Sequence, residues 1–280
     1  LARVLDAEIV FAEYADDFAK ALFNGAGLSV ETIADVFDDG LEFSPTFIAD
    51  ALWGNGFFSD FGNDAAEELA RVLDAEIVFT DYADDFAKAL FNGAGLSVEK
   101  IADVFDDGLD FSPTFIADAL WGNGFFSSFG SGGAAEMARV LDAEIAFSDY
   151  ADDFAEALFD GAGFSVELIA HVFDDELDFS SSFIADALWG NGFFSSFGND
   201  GAGELVRVLR GEGISNERIT NALSTRLNFS ASSIAGAFGH IGIGVSVGNI
   251  NSFLSGASST IASNVSSVGE DLFRGIRDLF

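Results

Sequence analysis

Carboxylates are the chain's most reactive recurring groups, and they come in adjacent pairs: Asp16-Asp17, Asp38-Asp39, Asp84-Asp85, Asp106-Asp107, Asp152-Asp153 and Asp174-Asp175. Two carboxylates can share acid and base roles across a glycosidic bond, or hold a hard cation through oxygen. Consecutive residues of a helix point about 100° apart, so no pair makes an acid/base couple by itself. The calcium-loop spacing Asp-x-Asp-x-Asp-Gly is also absent, since Asp35, Asp38 and Asp39 before Gly40 do not match it. The pairs therefore read as a solvated acidic face, with weak, delocalised cation binding as the alternative.

The remaining chemistry is sparse. There is no Cys, and the two histidines, His171 and His240, lie in different parts of the chain. No HExxH or Cys/His ligand spacing is present, so neither a metal centre nor a cofactor is expected. Ser is plentiful, but no nucleophile elbow or phosphate loop surrounds it. Gly242-Ile243-Gly244 followed by Gly248 has the wrong spacing for a dinucleotide loop. Asn228-Phe229-Ser230 and Asn264-Val265-Ser266 match the glycosylation triplet, which is too frequent by chance to carry weight. The chain is read as non-enzymatic, with no catalytic residues.

What must position these residues is a repeat. Leu1-Ala2-Arg3-Val4-Leu5 returns 68 residues later as Leu69–Leu73, again as Met137–Leu141, and in worn form as Leu205–Leu209. Trp53, Trp121 and Trp189 keep the same interval, as do Tyr14, Tyr82 and Tyr150. Such a period marks one supersecondary unit copied in tandem. Three acidic repeats are expected, 1–68, 69–136 and 137–204, followed by a divergent C-terminal unit, 205–280. Leu1 falls inside a repeat, so the sequence is read as a piece of a longer array.

Within the first repeat, Val4, Leu5, Phe11, Phe18 and Leu22 form one helical stripe, predicting a first helix over 2–23 that ends at Asn24-Gly25-Ala26-Gly27. Ser29 has the look of an N-cap for a second helix over 30–41, with Ile33, Val36, Phe37 and Leu41 on its apolar face. Ser44-Pro45 opens a third, which Gly54-Asn55-Gly56 stops. Phe57–Phe61 is short and aromatic; a strand is the rival reading there, but no sustained alternation appears elsewhere. The predicted fold is all-α, with about three helices per repeat and a divergent capping unit. In that last unit Gly211–Ser215 matches Gly25–Ser29 after an 18-residue deletion from the second half of the first helix. Residues 252–267 are Ser-rich, and 268–280 predicts a final amphipathic helix.

Charge is unevenly placed. Residues 1–204 hold 42 of the 47 acids and 6 of the 12 bases, a net −36, whereas 205–280 is at +1. An acidic surface disfavours nucleic acid and anionic membrane as partners. It keeps a chain with 33 Phe in solution, either as plain solubility or as a repulsion that salt, cations or acid relieve.

Tyr14-Ala15, Phe18 and Ala21-Leu22-Phe23-Asn24-Gly25, followed by Leu28-Ser29 and Ile33, resemble the helical repeat units of spidroins, the spider silk proteins, above all the aciniform and tubuliform types. Ile241–Gly248, with the Ser-rich 252–267 after it, is similar to the tail of an aciniform unit. The resemblance implies a secreted, extracellular, non-enzymatic fibre protein, stored in solution and assembled on demand. Self-association is then the expected interaction. Its candidate contacts are the aromatics of the inter-helix turn: Trp53, Phe57, Phe58 and Phe61, with Trp121, Phe125, Phe126, Phe129, Trp189, Phe193, Phe194 and Phe197 one and two periods on. A salt-adapted repeat adhesin or binding scaffold is the alternative, since only three Lys accompany the acids.

Overall fold

Serine hydroxyls start the second and third helices of each period. Ser29, Ser97, Ser165 and Ser215 each accept a hydrogen bond from the backbone N–H three residues on, at 3.2–3.3 Å. Ser44, Ser112, Ser180 and Ser230 do the same at 3.1–3.3 Å. Each satisfies one of the donors that a helix start leaves without an intrahelical acceptor. Both predicted cap positions are thus observed in every period, and Pro45 and Pro113 occupy the first helical position.

The structure, a computed structural model, describes residues 14–79, 81–147 and 149–255. The described residues lie in helices, turns and short connecting segments, and none of them is in a strand. Two compact units divide the chain, Leu1–Phe164 and Ser165–Phe280, so the division falls inside the third period. The first unit contains α1 (Tyr14–Lys20), α2 (Val30–Asp35), α3 (Pro45–Gly54), α4 (Ala65–Glu76), α5 (Tyr82–Lys88), α6 (Val98–Asp103), α7 (Pro113–Gly122), α8 (Gly133–Glu144) and α9 (Tyr150–Glu156). The second contains α10 (Val166–His171), α11 (Ser181–Gly190), α12 (Gly201–Gly211), α13 (Asn216–Thr225) and α14 (Ala231–His240), then a helical stretch at 247–255. The start of the predicted helix over 2–23 and the final helix predicted over 268–280 lie outside the described residues.

In the first unit, α1 packs on α3, and α5 on α7. The Asp16 and Asp84 carboxylates lie over Gly54 and Gly122, where a Cβ would come within 2.6 Å and 2.5 Å of an oxygen. The Asn55 amide fastens the first pair, donating to the carbonyls of Asp16 (3.0 Å) and Ala51 (2.6 Å). Asn123 repeats this with Asp84 (3.0 Å) and Ala119 (2.7 Å). Successive periods also touch. α3 packs on the π-helical turn Ala89–Gly93, and α7 on Ala157–Gly161. A Cβ on Gly93 would run into the Thr46 carbonyl and Ala49; Gly161 meets Thr114 and Ala117 in the same way. This glycine, read from sequence as part of a helix exit, is at Asn92-Gly93 and Asp160-Gly161 a point of backbone-to-backbone approach.

Phenylalanine fills the core. Phe18, Phe37, Phe86, Phe105, Phe154, Phe173 and Phe238 are fully buried. Rings follow one another along each period: Phe86–Phe105 at 5.1 Å between centroids, Phe105–Phe111 at 5.4 Å, Phe111–Phe115 at 4.5 Å. Tilted and edge-to-face pairs at these spacings are favourable beyond the area they bury.

The long first helix is the main difference from expectation. Its copy in the second period is two helices: α4 stops at Glu76, Ile77 is extended (φ −106°, ψ 133°), and α5 starts at Tyr82. Packing and carboxylates together break it. Ile77 is buried, and Phe79 stacks on Phe86 at 4.9 Å. Asp38 accepts from the Val78 N–H at 2.9 Å, and Asp85 from the Asp81 N–H at 3.1 Å, so side chains take over the role of the helical ladder. The third period repeats the device with Asp106 and Ala146, and with Asp153 and Asp149. In the second unit the 18-residue deletion removes the whole counterpart of α5. α12 passes through Glu212–Ser215 directly into α13, which packs on α11. Phe57–Phe61 forms no strand; it is a turn that leads into the 3-10 helix Ser59–Asp64.

Candidate functional site

The aromatic turn after α3 is built by glycine. Gly56 and Gly62 both have positive φ, 65° and 59°, which a side chain would disfavour. They fold the turn so that its four aromatics face different ways. Phe58 points in and is 3% exposed; Phe61 points out and is 48% exposed. Phe126 and Phe129 repeat this at 3% and 52%, and Phe194 and Phe197 at 5% and 49%. Phe58, Phe126 and Phe194 are therefore core residues and cannot meet a partner without local unfolding.

Phe57, Phe125 and Phe193 are half-buried. Phe57 stacks on Phe23 at 4.6 Å and Phe125 on Phe91 at 4.5 Å. Trp53, Trp121 and Trp189 are also half-buried. Trp121 meets Phe164 edge-on at 4.7 Å, and Trp189 meets Phe229 at 5.0 Å, each ring belonging to the following period. Trp53, Gly56, Phe58, Ser59, Gly62 and Ala65 line an open hollow of about 290 Å³. Equivalent hollows of about 280 and 250 Å³ sit beside Trp121 and Trp189. Of the twelve aromatics singled out from sequence, Phe61, Phe129 and Phe197 are the ones that present most of a ring face to solvent. Phe23, Phe91 and Phe159, at 36–37% exposed, join the surface although sequence placed them only at a helix end. Their signal was the position just off the buried stripe that Phe18 and Leu22 define.

The acidic pairs are not simply solvated. One member often caps the next segment, as Asp38 and Asp106 do, while Tyr82 donates its hydroxyl to Asp74. Burial, aided by Asp107, Asp110 and Asp103, raises the pKa of Asp106 above the ordinary aspartate value, against the Ala146 N–H bond that lowers it. Asp84 is raised by burial and by Asp81, Asp118 and Asp85, against Lys88. Asp50 is raised by burial and by Asp16, and Asp74 and Asp142 by burial.

Both histidines of the chain contact carboxylates in the second unit. His171 Nδ1 lies 3.0 Å from Asp175 and 3.2 Å from Glu212. His240 packs over Gly203, its Nδ1 3.6 Å from Asp200 and its Nε2 3.3 Å from Glu204. Among the described residues no helix is long and apolar enough to cross a membrane. Comparison with protein-family models, with curated proteins and with solved structures finds no match.

Proposed function

We propose that this chain is a structural, non-enzymatic, extracellular protein of the silk-like kind, whose acidic helical repeats stay apart in solution and associate with copies of themselves once charge is screened or neutralised. The observation that carries this reading is the return, every 68 residues, of a half-exposed phenyl ring at Phe61, Phe129 and Phe197 beside an open aromatic hollow. Completing the burial of one such ring contributes about 1 kcal/mol, too little to bind alone. Several rings on one chain, and more on a longer array, add through effective concentration. The net charge of −35 opposes that association until counterions or protons reduce it.

The triple variant Phe61→Ser, Phe129→Ser, Phe197→Ser tests the reading directly. Its fold should be unchanged, because these rings are not in the core, while its aggregation at raised salt or lowered pH should be strongly reduced. Association equal to that of the parent chain would rule out these rings as the contact. The salt-adapted scaffold remains a second reading, favoured by 47 acids against three Lys. It requires that helicity appear only at molar salt, whereas the proposal requires full helicity at low salt.

A further inference from the structure

We propose that His171, Asp175 and Glu212 form a binding site for one divalent transition cation of the zinc class. The sequence offers no metal-ligand spacing here, because the third ligand comes from a separate helix. His171 is the last residue of α10, and Asp175 follows one turn later in the π-helical turn Val172–Glu176. Glu212 is the C-cap of α12, 41 residues from the histidine. The fold of the second unit brings the three together.

Their geometry suits one ion. The candidate ligand atoms all lie within 4.8 Å of one another, with both carboxylates directed at the same ring nitrogen, Nδ1, at 3.0 and 3.2 Å. A tetrahedral ion with bonds of about 2.0–2.2 Å needs donors roughly 3.3–3.5 Å apart, so small side-chain adjustments seat it. The Glu212 side chain is only 15% exposed and holds its place, whereas His171 and Asp175, at 48% and 56%, leave the outer face open. One imidazole with two carboxylates favours zinc-like ions over calcium, which takes six or more oxygen ligands. Asp174 and Asp178 add negative charge nearby, and Arg218 opposes it.

Two internal comparisons sharpen the assignment. At His240 the carboxylates of Asp200 and Glu204 address different ring nitrogens, so they cannot share one ion with the ring. In the first two periods the place of His171 is taken by Asp35 and Asp103, so the nitrogen ligand enters only in the third period. A bound ion would tie the α10 segment to the end of α12, giving the second unit a cation-dependent link that the diffuse acidity of the other periods does not provide.

The test is calorimetric titration of the full chain with zinc chloride in a non-chelating buffer near neutral pH, repeated for His171→Asp, Glu212→Gln and His240→Gln. His171→Asp restores the residue of the earlier periods and should fold normally, as circular dichroism would check. The parent chain and His240→Gln should show one saturable site that excess magnesium or calcium does not displace. His171→Asp and Glu212→Gln should each weaken it by about tenfold or more, at least as much as loss of a supporting outer ligand does. Unchanged zinc binding in either of those two variants, loss of the site in His240→Gln, or displacement by calcium would overturn the assignment in favour of general acidity.

Discussion

At the scale of single residues, one ring position separates core from surface. Phe105 is fully buried among Phe86, Phe111 and Phe115. Phe105→Ala should destabilise the first unit by about 3–5 kcal/mol, read from denaturant unfolding. Phe129→Ser, at a half-exposed ring, should change stability by no more than about 1 kcal/mol. A second residue effect lies in the backbone. Glu42, Asp110, Asp178 and Asn228 all have φ between 53° and 58°, the left-handed region that glycine tolerates best. Each ends the second helix of its period; Glu42 and Phe43, for instance, donate back to Asp38 and Phe37 at 2.9 Å. Glu42→Gly should therefore stabilise by about 0.5–1 kcal/mol, with thermal unfolding as the readout. Sequence reading found the serine caps and Gly27 because their chemistry is local. It did not find these four positions, because Asp and Asn favour positive φ only weakly, Glu does not, and nothing local marks which of the chain's many Asp residues adopts it. Nor did it separate Phe58 from Phe61, which differ only in the direction the two glycines impose.

At the scale of elements, the apolar stripes located the second and third helices well, since Ser caps and Gly stops bracket them. The first helix reads as continuous because Val4, Leu5, Phe11, Phe18 and Leu22, with their copies Val72, Leu73, Phe79, Phe86 and Leu90, keep a helical stripe through the break. The interruption depends on Asp38, 40 residues earlier, which no local pattern contains. The histidine cluster was illegible for the same reason. This use of aspartates also sets a pH response. Asp50, Asp74, Asp84, Asp106 and Asp142 have folded-state pKa values raised mainly by burial. The folded state then takes up protons more readily than the unfolded chain, so these groups make stability rise as pH falls from neutrality into the aspartate range. Glu31 works the other way in this unit: its own backbone N–H and Ser29 lower its pKa, a contribution lost at lower pH. In the second unit Glu167 and Glu204 are lowered, chiefly by hydrogen bonds from Arg207, while Asp174 is raised by burial. Mild acidification should raise the melting temperature of the first unit more than that of the second. Tryptophan fluorescence of single-Trp variants, Trp121 reporting the first unit and Trp189 the second, would check this. An equal or reversed shift would contradict it.

At the scale of the whole molecule, the excess negative charge sits on 1–204 and the C-terminal quarter is near neutral, a division read directly from composition. Repulsion is strong at low salt and fades as the screening length shortens to about 10 Å at 0.1 M. The proposed assembly needs the helices to survive that change, because the exposed rings are presented by folded turns. Light scattering and far-ultraviolet circular dichroism, recorded together while pH is lowered from about 7 to about 4 and then while salt is raised at constant pH, test this most directly. The expected result is scattering that climbs steeply as the aspartates gain protons, and again as salt increases, with the helical signal unchanged throughout. Scattering that stays flat, or that climbs only as helicity is lost, would contradict association of folded repeats through their exposed phenyl rings.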